Sequence, residues 1–131
     1  MTVVDEDTIM PTHRCFDDAL DYLEAVAARG GLQELEQHHL VHAIVTNTAD
    51  GRRFAHAWVE RGGVVIETGM LRGTKVVYTV KKEEHARWLI AERVTRYTPR
   101  EAYQMNLRHG TYGPWEADYK ALCREARKGA A

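Results

Sequence analysis

Alternation of apolar and polar residues predicts a run of antiparallel strands in the first half of the chain. Four short segments are rich in β-branched and aromatic side chains: 38–47, 52–60, 64–68 and 75–80. Asp50-Gly51 separates the first two segments, and Arg61-Gly62-Gly63 separates the second from the third. Glycine supplies the positive φ of tight turns, so each connection predicts a hairpin.

Counting residues across the second turn places His56 and Glu67 on one face of this sheet. With Arg61-Gly62 as the loop they lie directly opposite, and with Gly62-Gly63 the partners shift by two but the faces are kept. A three-residue loop with a bulge would break this parity. Cross-strand neighbours have Cβ atoms roughly 4.5–5.5 Å apart, so a carboxylate could hold the imidazole. The other residues counted onto this face are apolar: Val41, Ala43, Val45, Phe54, Trp58 and Val65.

An amphipathic helix is predicted before the strands. Its apolar residues recur at helical spacing: Phe16, Ala19, Leu20, Leu23 and Ala27. The pattern begins near Thr12 and ends at Gly30-Gly31. We expect its apolar stripe to cover the sheet face that carries Phe54 and Trp58, with Cys15 in the first turn.

The second half of the chain predicts helices. Three are expected: 81–94, 98–109 and a last helix ending near Lys128. The first would turn Trp88 and Leu89 inward. Thr98-Pro99-Arg100-Glu101 combines a capping hydroxyl, a first-turn proline and a glutamate three residues after the cap, which is typical of a helix start. Gly110 would end that helix, and residues 111–115 form an aromatic loop.

These elements predict one α+β domain. An N-terminal helix packs on an antiparallel sheet of about four strands, with helices at the C-terminal end. A chain of 131 residues has room for one core. Residues 1–11 are expected to be frayed, 12–80 to form the helix and sheet, and 81–131 to form a helical extension.

Cys15, His56 and Glu67 have the residue types of a thiol hydrolase. Such an enzyme needs a thiolate nucleophile, an imidazole base and a group that orients the imidazole. A helix N-terminus favours negative charge and can lower the pKa of a thiol placed there. The backbone N–H of Cys15 would be an unpaired first-turn donor, available to an oxyanion.

A cysteine that opens a helix, followed by a strand with His-Ala-Trp-Val-Glu and a hairpin partner with an acid, resembles the core of papain-like and transglutaminase-like cysteine hydrolases. It is similar in particular to small bacterial and phage members, including the leader peptidases of lasso-peptide pathways. The resemblance covers about residues 12–70 and implies Cys15 as nucleophile, His56 as base and Glu67 as orienting acid. Many relatives have Asp at the last position, and the Gln that papain-type enzymes place before the nucleophile has no counterpart. His13 and the indole of Trp58 are alternative oxyanion donors, and the sequence selects neither.

The composition of the chain limits the kinds of partner that it is expected to bind. A formal net charge of −1 gives no general field for nucleic acid, so none is expected as a partner. No apolar run approaches the ~20 residues of a membrane span, and no signal peptide opens the chain. Two cysteines do not make a disulfide framework, so we expect a cytoplasmic protein with a protein or peptide substrate and no cofactor.

The remaining candidates have structural interpretations as well. Cys123 falls on an apolar helix face and is expected to pack in the core. Three histidines, His38, His39 and His42, suggest a metal-dependent enzyme, but a strand puts His39 and His42 on opposite faces, so no metal site is predicted. Tyr112 and Trp115 could line a substrate cleft or form a structural turn. A non-catalytic binding or inhibitor protein on the same scaffold is the main alternative function.

Overall fold

The computed structural model describes residues 9–119 and 121. It has an α+β architecture in which an N-terminal helix packs on a five-stranded antiparallel sheet. The elements in chain order are α1 (Cys15–Leu35), β1 (His38–Asn47), β2 (Arg53–Arg61), β3 (Val64–Leu71), β4 (Thr74–Lys81), α2 (Lys82–Trp88), β5 (Leu89–Tyr97) and α3 (Pro99–His109). The helix-on-sheet arrangement expected from the sequence is confirmed, with one strand more than expected.

In the sheet order β4-β3-β2-β1-β5, the first four strands of the chain lie side by side in sequence order. β5 returns to pair with β1. Arg61 pairs with Val64, so the turn between β2 and β3 is Gly62-Gly63, and Gly62 has a φ of 59°. This is the second of the two loops that keep His56 and Glu67 on one face. The parity argument is therefore confirmed, although the two residues are diagonal neighbours and not direct partners.

The sheet is covered on both faces. One cluster, which we call the helix face, joins residues of α1 to Leu40, Ile44, Ala55, Ala57, Val59 and Ile66. The second cluster, which we call the opposite face, contains Val41, Ala43, Val45, Trp58 and Val65. The expectation that α1 would cover Phe54 and Trp58 is wrong, because α1 packs on the other side of the same strands. β1 and β2 carry apolar residues on both faces, so alternation alone did not distinguish the sides.

The helix predicted over 81–94 is wrong beyond Trp88. α2 ends there, and β5 follows as an edge strand paired antiparallel with β1. The β-branched Ile90, Val94 and Thr95 favour an extended chain, and pairing satisfies the free backbone groups of β1. Trp88 is 52% exposed instead of inward, whereas Leu89 packs against the opposite face.

Local signals fixed other boundaries. The Thr98 capping box and a left-handed Gly110 bound α3, as the sequence predicts. α1 runs on to Leu35, but Gly31, with a φ of 72°, interrupts it at the predicted stop. Met10, expected to be frayed, exchanges backbone hydrogen bonds with Met70. Most of the predicted last helix, including Cys123, and residues 1–8 lie outside the described residues.

Candidate active site

His56 and Glu67 form a buried hydrogen-bonded pair at the opposite face. His56 projects from β2 between the rings of Phe54 and Trp58, each with its centroid 5.7 Å away. Its Nε2 lies 2.8 Å from Oε2 and 3.0 Å from Oε1 of Glu67. The side chains are 15% and 6% exposed, so the interaction is largely removed from solvent screening.

The charge on Glu67 determines the tautomer of His56. Burial opposes ionisation, but the charge and hydrogen bond of His56, with a second hydrogen bond from His85, lower the pKa of Glu67 to about 2. An ionised carboxylate only accepts hydrogen bonds, so Nε2 of His56 must carry a proton. In the neutral ring, Nδ1 therefore holds the lone pair. This is the tautomer that a general base needs if its substrate proton approaches Nδ1.

Cys15 is the candidate donor of that proton. It is the first residue of α1, half-buried at the edge of the helix-face cluster, and it lies near enough to the His56 ring to raise the pKa of that imidazole. β2 and β3 pair from Arg61↔Val64 to Val59↔Ile66, and His56 and Glu67 lie beyond that last pair. Where two strands are no longer joined by hydrogen bonds, a side chain at a helix end on one face can reach an imidazole of the other face. β2 and β3 are not paired at His56 and Glu67, so the N-terminus of α1 can approach the imidazole there.

The electrostatics of His56 favour its protonated form. Burial lowers the pKa of the imidazole, but the charge of Glu67, then the charge and hydrogen bond of Cys15, raise it well above its ordinary value. An imidazolium between a carboxylate and a sulfur stabilises negative charge on that sulfur. The arrangement therefore suits a thiolate–imidazolium pair.

The first turn of α1 offers donors next to the sulfur. Arg14 is the N-cap, and among the described residues it provides no side-chain cap for the first N–H groups. His13 precedes it in an exposed, left-handed backbone conformation with a φ of 62°. Thr12 accepts a hydrogen bond from the Arg14 N–H and donates one of 2.6 Å to Asp18. The turn that presents Cys15 is thus tied to the helix by its own side chains.

Sequence reasoning missed one residue of this site. His85, in α2, is 5% exposed, and its Nε2 lies 2.9 Å from Oε2 of Glu67. Its ring also packs against Trp58, with centroids 4.9 Å apart. The sequence placed His85 in a helix but held no signal for the face on which that helix packs.

Three of the other predicted contact residues, Trp58, Tyr112 and Trp115, lie in or against the two core clusters. The Trp58 indole donates to Glu60 at 3.2 Å, and Trp58 is 4% exposed. Trp115 is also buried, and its indole donates to the Thr111 carbonyl. Tyr112 is half-buried, and the charges of Glu24 and then Asp21 raise the pKa of its hydroxyl, which places it beside α1. Substrate contact by these residues stays a prediction.

A second buried histidine–glutamate pair occupies the helix face. His42 is fully buried, with Nδ1 3.1 Å from Glu116 and its ring surrounded by Phe16, Tyr97 and Trp115. Its Nε2 has no hydrogen-bond partner among the described residues. The packing identifies it as a core pair.

His38 and His39 also separate. His38 is buried with its Nδ1 2.8 Å from the Glu34 carbonyl oxygen, whereas His39 is exposed. Within residues 9–119 and 121, no group of three or more His, Cys, Asp or Glu is placed to hold a metal ion.

Comparison with protein-family models, curated proteins and solved structures found no match to this chain. None of the helices in the described part of the chain is long and apolar enough to cross a membrane.

Proposed function

We propose that this protein is a thiol-dependent hydrolase or acyl transferase acting on an amide bond. Cys15 is the nucleophile, His56 the general base and acid, and Glu67 the group that orients His56. The observation that carries the proposal is the His56–Glu67 pair, since it fixes the proton on Nε2 of a ring whose pKa the nearby Cys15 raises. The papain-like or transglutaminase-like core belongs to this proposal, supported by the order helix, strand and hairpin partner.

The chemistry follows from these positions. The Cys15 thiolate attacks the carbonyl carbon, and the carbonyl oxygen becomes an oxyanion facing the N–H groups of the first turn of α1. The His56 imidazolium then gives its Nδ1 proton to the leaving amine as the C–N bond breaks, which leaves an acyl thioester. Water, or an acceptor amine in the transferase case, attacks the thioester while His56 takes its proton. Thiolate and imidazolium are restored when the acid or new amide leaves.

A groove beside α1 supports a protein or peptide substrate. Its volume is about 740 Å³, within the range of ligand sites. None of Cys15, His56 and Glu67 lines the groove, but it begins at Asp18, three residues after Cys15, and extends along α1 to Glu34. The uninterrupted helical part of this stretch, from Asp18 to Gly30, rises about 18 Å, which matches about five residues of extended peptide. We place the protein in the cytoplasm, because a free thiolate nucleophile is retained in a reducing compartment.

Alkylation kinetics test the proposal. Iodoacetamide should modify Cys15 much faster than Cys123, with a pH midpoint below the ~8.5 of a free thiol. Substituting Cys15 with Ala should remove the fast phase, and substituting Cys123 with Ser should leave it unchanged. Slow, equal labelling of both thiols would reject the enzyme and favour a binding protein on this scaffold.

A further inference from the structure

His85 is a buried imidazole that the three-residue site leaves without a role. It lies in α2, between β4 and β5 in the chain, and it contacts the same carboxylate of Glu67 as His56 does. Both imidazoles reach the same oxygen, Oε2, through Nε2, at 2.8 and 2.9 Å. The carboxylate therefore bridges two rings.

The shared hydrogen bonds constrain both the protonation of His85 and the rotation of the Glu67 carboxylate. Because the carboxylate is ionised and only accepts, His85 must also carry its proton on Nε2. A carboxylate with a single donor can rotate about its terminal torsion, which is broad and weakly restrained. A second donor, held in a helix and packed against Trp58, restricts that rotation.

We propose that His85 is a positioning residue that holds the Glu67 carboxylate in the orientation that fixes His56. It acts through Glu67 and does not touch the reacting atoms. The inference rests on the proposed thiol chemistry, because its consequence is a change in the reactivity of Cys15. Without His85, the carboxylate is free to turn, and His56 loses part of its tautomer control and charge stabilisation.

Two substitutions of His85 distinguish the effect of its hydrogen bond to Glu67 from the effect of its ring packing. His85→Gln keeps an N–H donor near the position of Nε2 and cannot titrate, whereas His85→Phe keeps the ring and removes the donor. In a Cys123→Ser background, we expect His85→Phe to lower the alkylation rate of Cys15 near pH 7 about tenfold, the scale of one charge-assisted hydrogen bond. Its pH midpoint should move toward that of a free thiol. His85→Gln should stay within about threefold of the parent protein, because the donor is retained.

His42→Phe is the matched control, because His42 is an equally buried imidazole bonded to a carboxylate on the helix face. It should leave the pH profile of Cys15 unchanged. Parent-like alkylation by a folded His85→Phe protein would overturn the proposal. So would a folded His85→Gln protein as slow as His85→Phe, because the effect would then follow packing and not the donor.

Nitrogen NMR of the unmodified protein tests the same contact without a variant that could fail to fold. Long-range proton–nitrogen spectra should show a proton on Nε2 of His85 from pH 6 to 8. An unprotonated Nε2 would overturn the positioning role. If the parent Cys15 itself reacts as a free thiol, the proposed function fails, and the NMR result still reports separately on whether His85 holds Glu67.

Discussion

Glu67→Gln is the substitution that challenges the site most directly. Glutamine has nearly the same shape as glutamate, and the side chain is 6% exposed, so the fold should be retained. The amide can present its NH₂ group to Nε2 of His56, which would then have to accept. The ring proton would move to Nδ1, leaving no lone pair for the thiol proton.

The structure sets the size of the effect. The difference between the ordinary pKa of 4.5 and about 2 corresponds to about 3 kcal/mol of interaction between the Glu67 carboxylate and its surroundings. His56 and His85 share this interaction, and one charge-assisted hydrogen bond from His56 contributes on the order of 1–2 kcal/mol. Losing it lowers the thiolate–imidazolium population about tenfold, since each 1.4 kcal/mol is a factor of ~10 in an equilibrium, and the wrong tautomer lowers it further.

The assay is the rate of iodoacetamide alkylation of Cys15 from pH 5 to 9, in the Cys123→Ser background. Near pH 6, Glu67→Gln should react about tenfold or more slowly than the parent, with a more alkaline midpoint. Glu60→Gln is the control, because Glu60 is a similarly buried carboxylate that holds the Trp58 indole and Arg96 instead. An unchanged rate and midpoint in Glu67→Gln, with Cys15→Ala unreactive, would mean that the orienting acid is wrongly assigned.

Three further outcomes are expected. Because the pKa of Glu67 is lowered on folding, its carboxylate contributes fully to the free energy of unfolding above about pH 4.5, and this contribution is lost as the pH falls toward 2. In chemical denaturation, the parent should therefore lose about 3 kcal/mol more stability over this window than Glu67→Gln does. Gly113→Ala should destabilise by about 1–3 kcal/mol in thermal unfolding, because its φ is 115° and a Cβ would lie 2.9 Å from Cε1 of the buried His42. Gly51→Ala, with a φ of 73° and open space around it, should cost only the backbone strain of about 1 kcal/mol, so equal losses would contradict the clash. Tyr112→Phe should change substrate affinity modestly, and a large fall in nucleophile alkylation would show that the loop completes the site.

Local patterns predicted much of the fold because they act over a few residues. The placement of His56 and Glu67 on one sheet face depends only on strand alternation and on the Gly62-Gly63 turn. Both features can be recognised in the sequence. The capping box at Thr98 specified a helix start for the same reason. Such features need no knowledge of the rest of the molecule.

What the sequence left undetermined depends on long-range packing. β5 forms because β1 offers it an edge to pair with, which a helical pattern over 81–94 does not reveal. α1 covers the helix face because both sides of β1 and β2 are apolar, so the choice rests on the whole core. His85 reaches Glu67 because α2 packs against β3, β4 and β5, so neither its burial nor its partner could be inferred from spacing.

The short pairing of β2 with β3 makes the sheet two ribbons joined at a seam. One ribbon contains β1, β2 and β5, the other contains β3 and β4, and three residue pairs connect them along the seam. His56 belongs to the first ribbon and Glu67 to the second, so the site spans the joint. Parting of the ribbons would separate base from acid while each ribbon kept its own hydrogen bonds, a partial opening that needs less free energy than global unfolding. The alkylation rate of Cys15 would then report whether the two ribbons are paired at the seam. With increasing denaturant, this rate would fall before the secondary structure is lost.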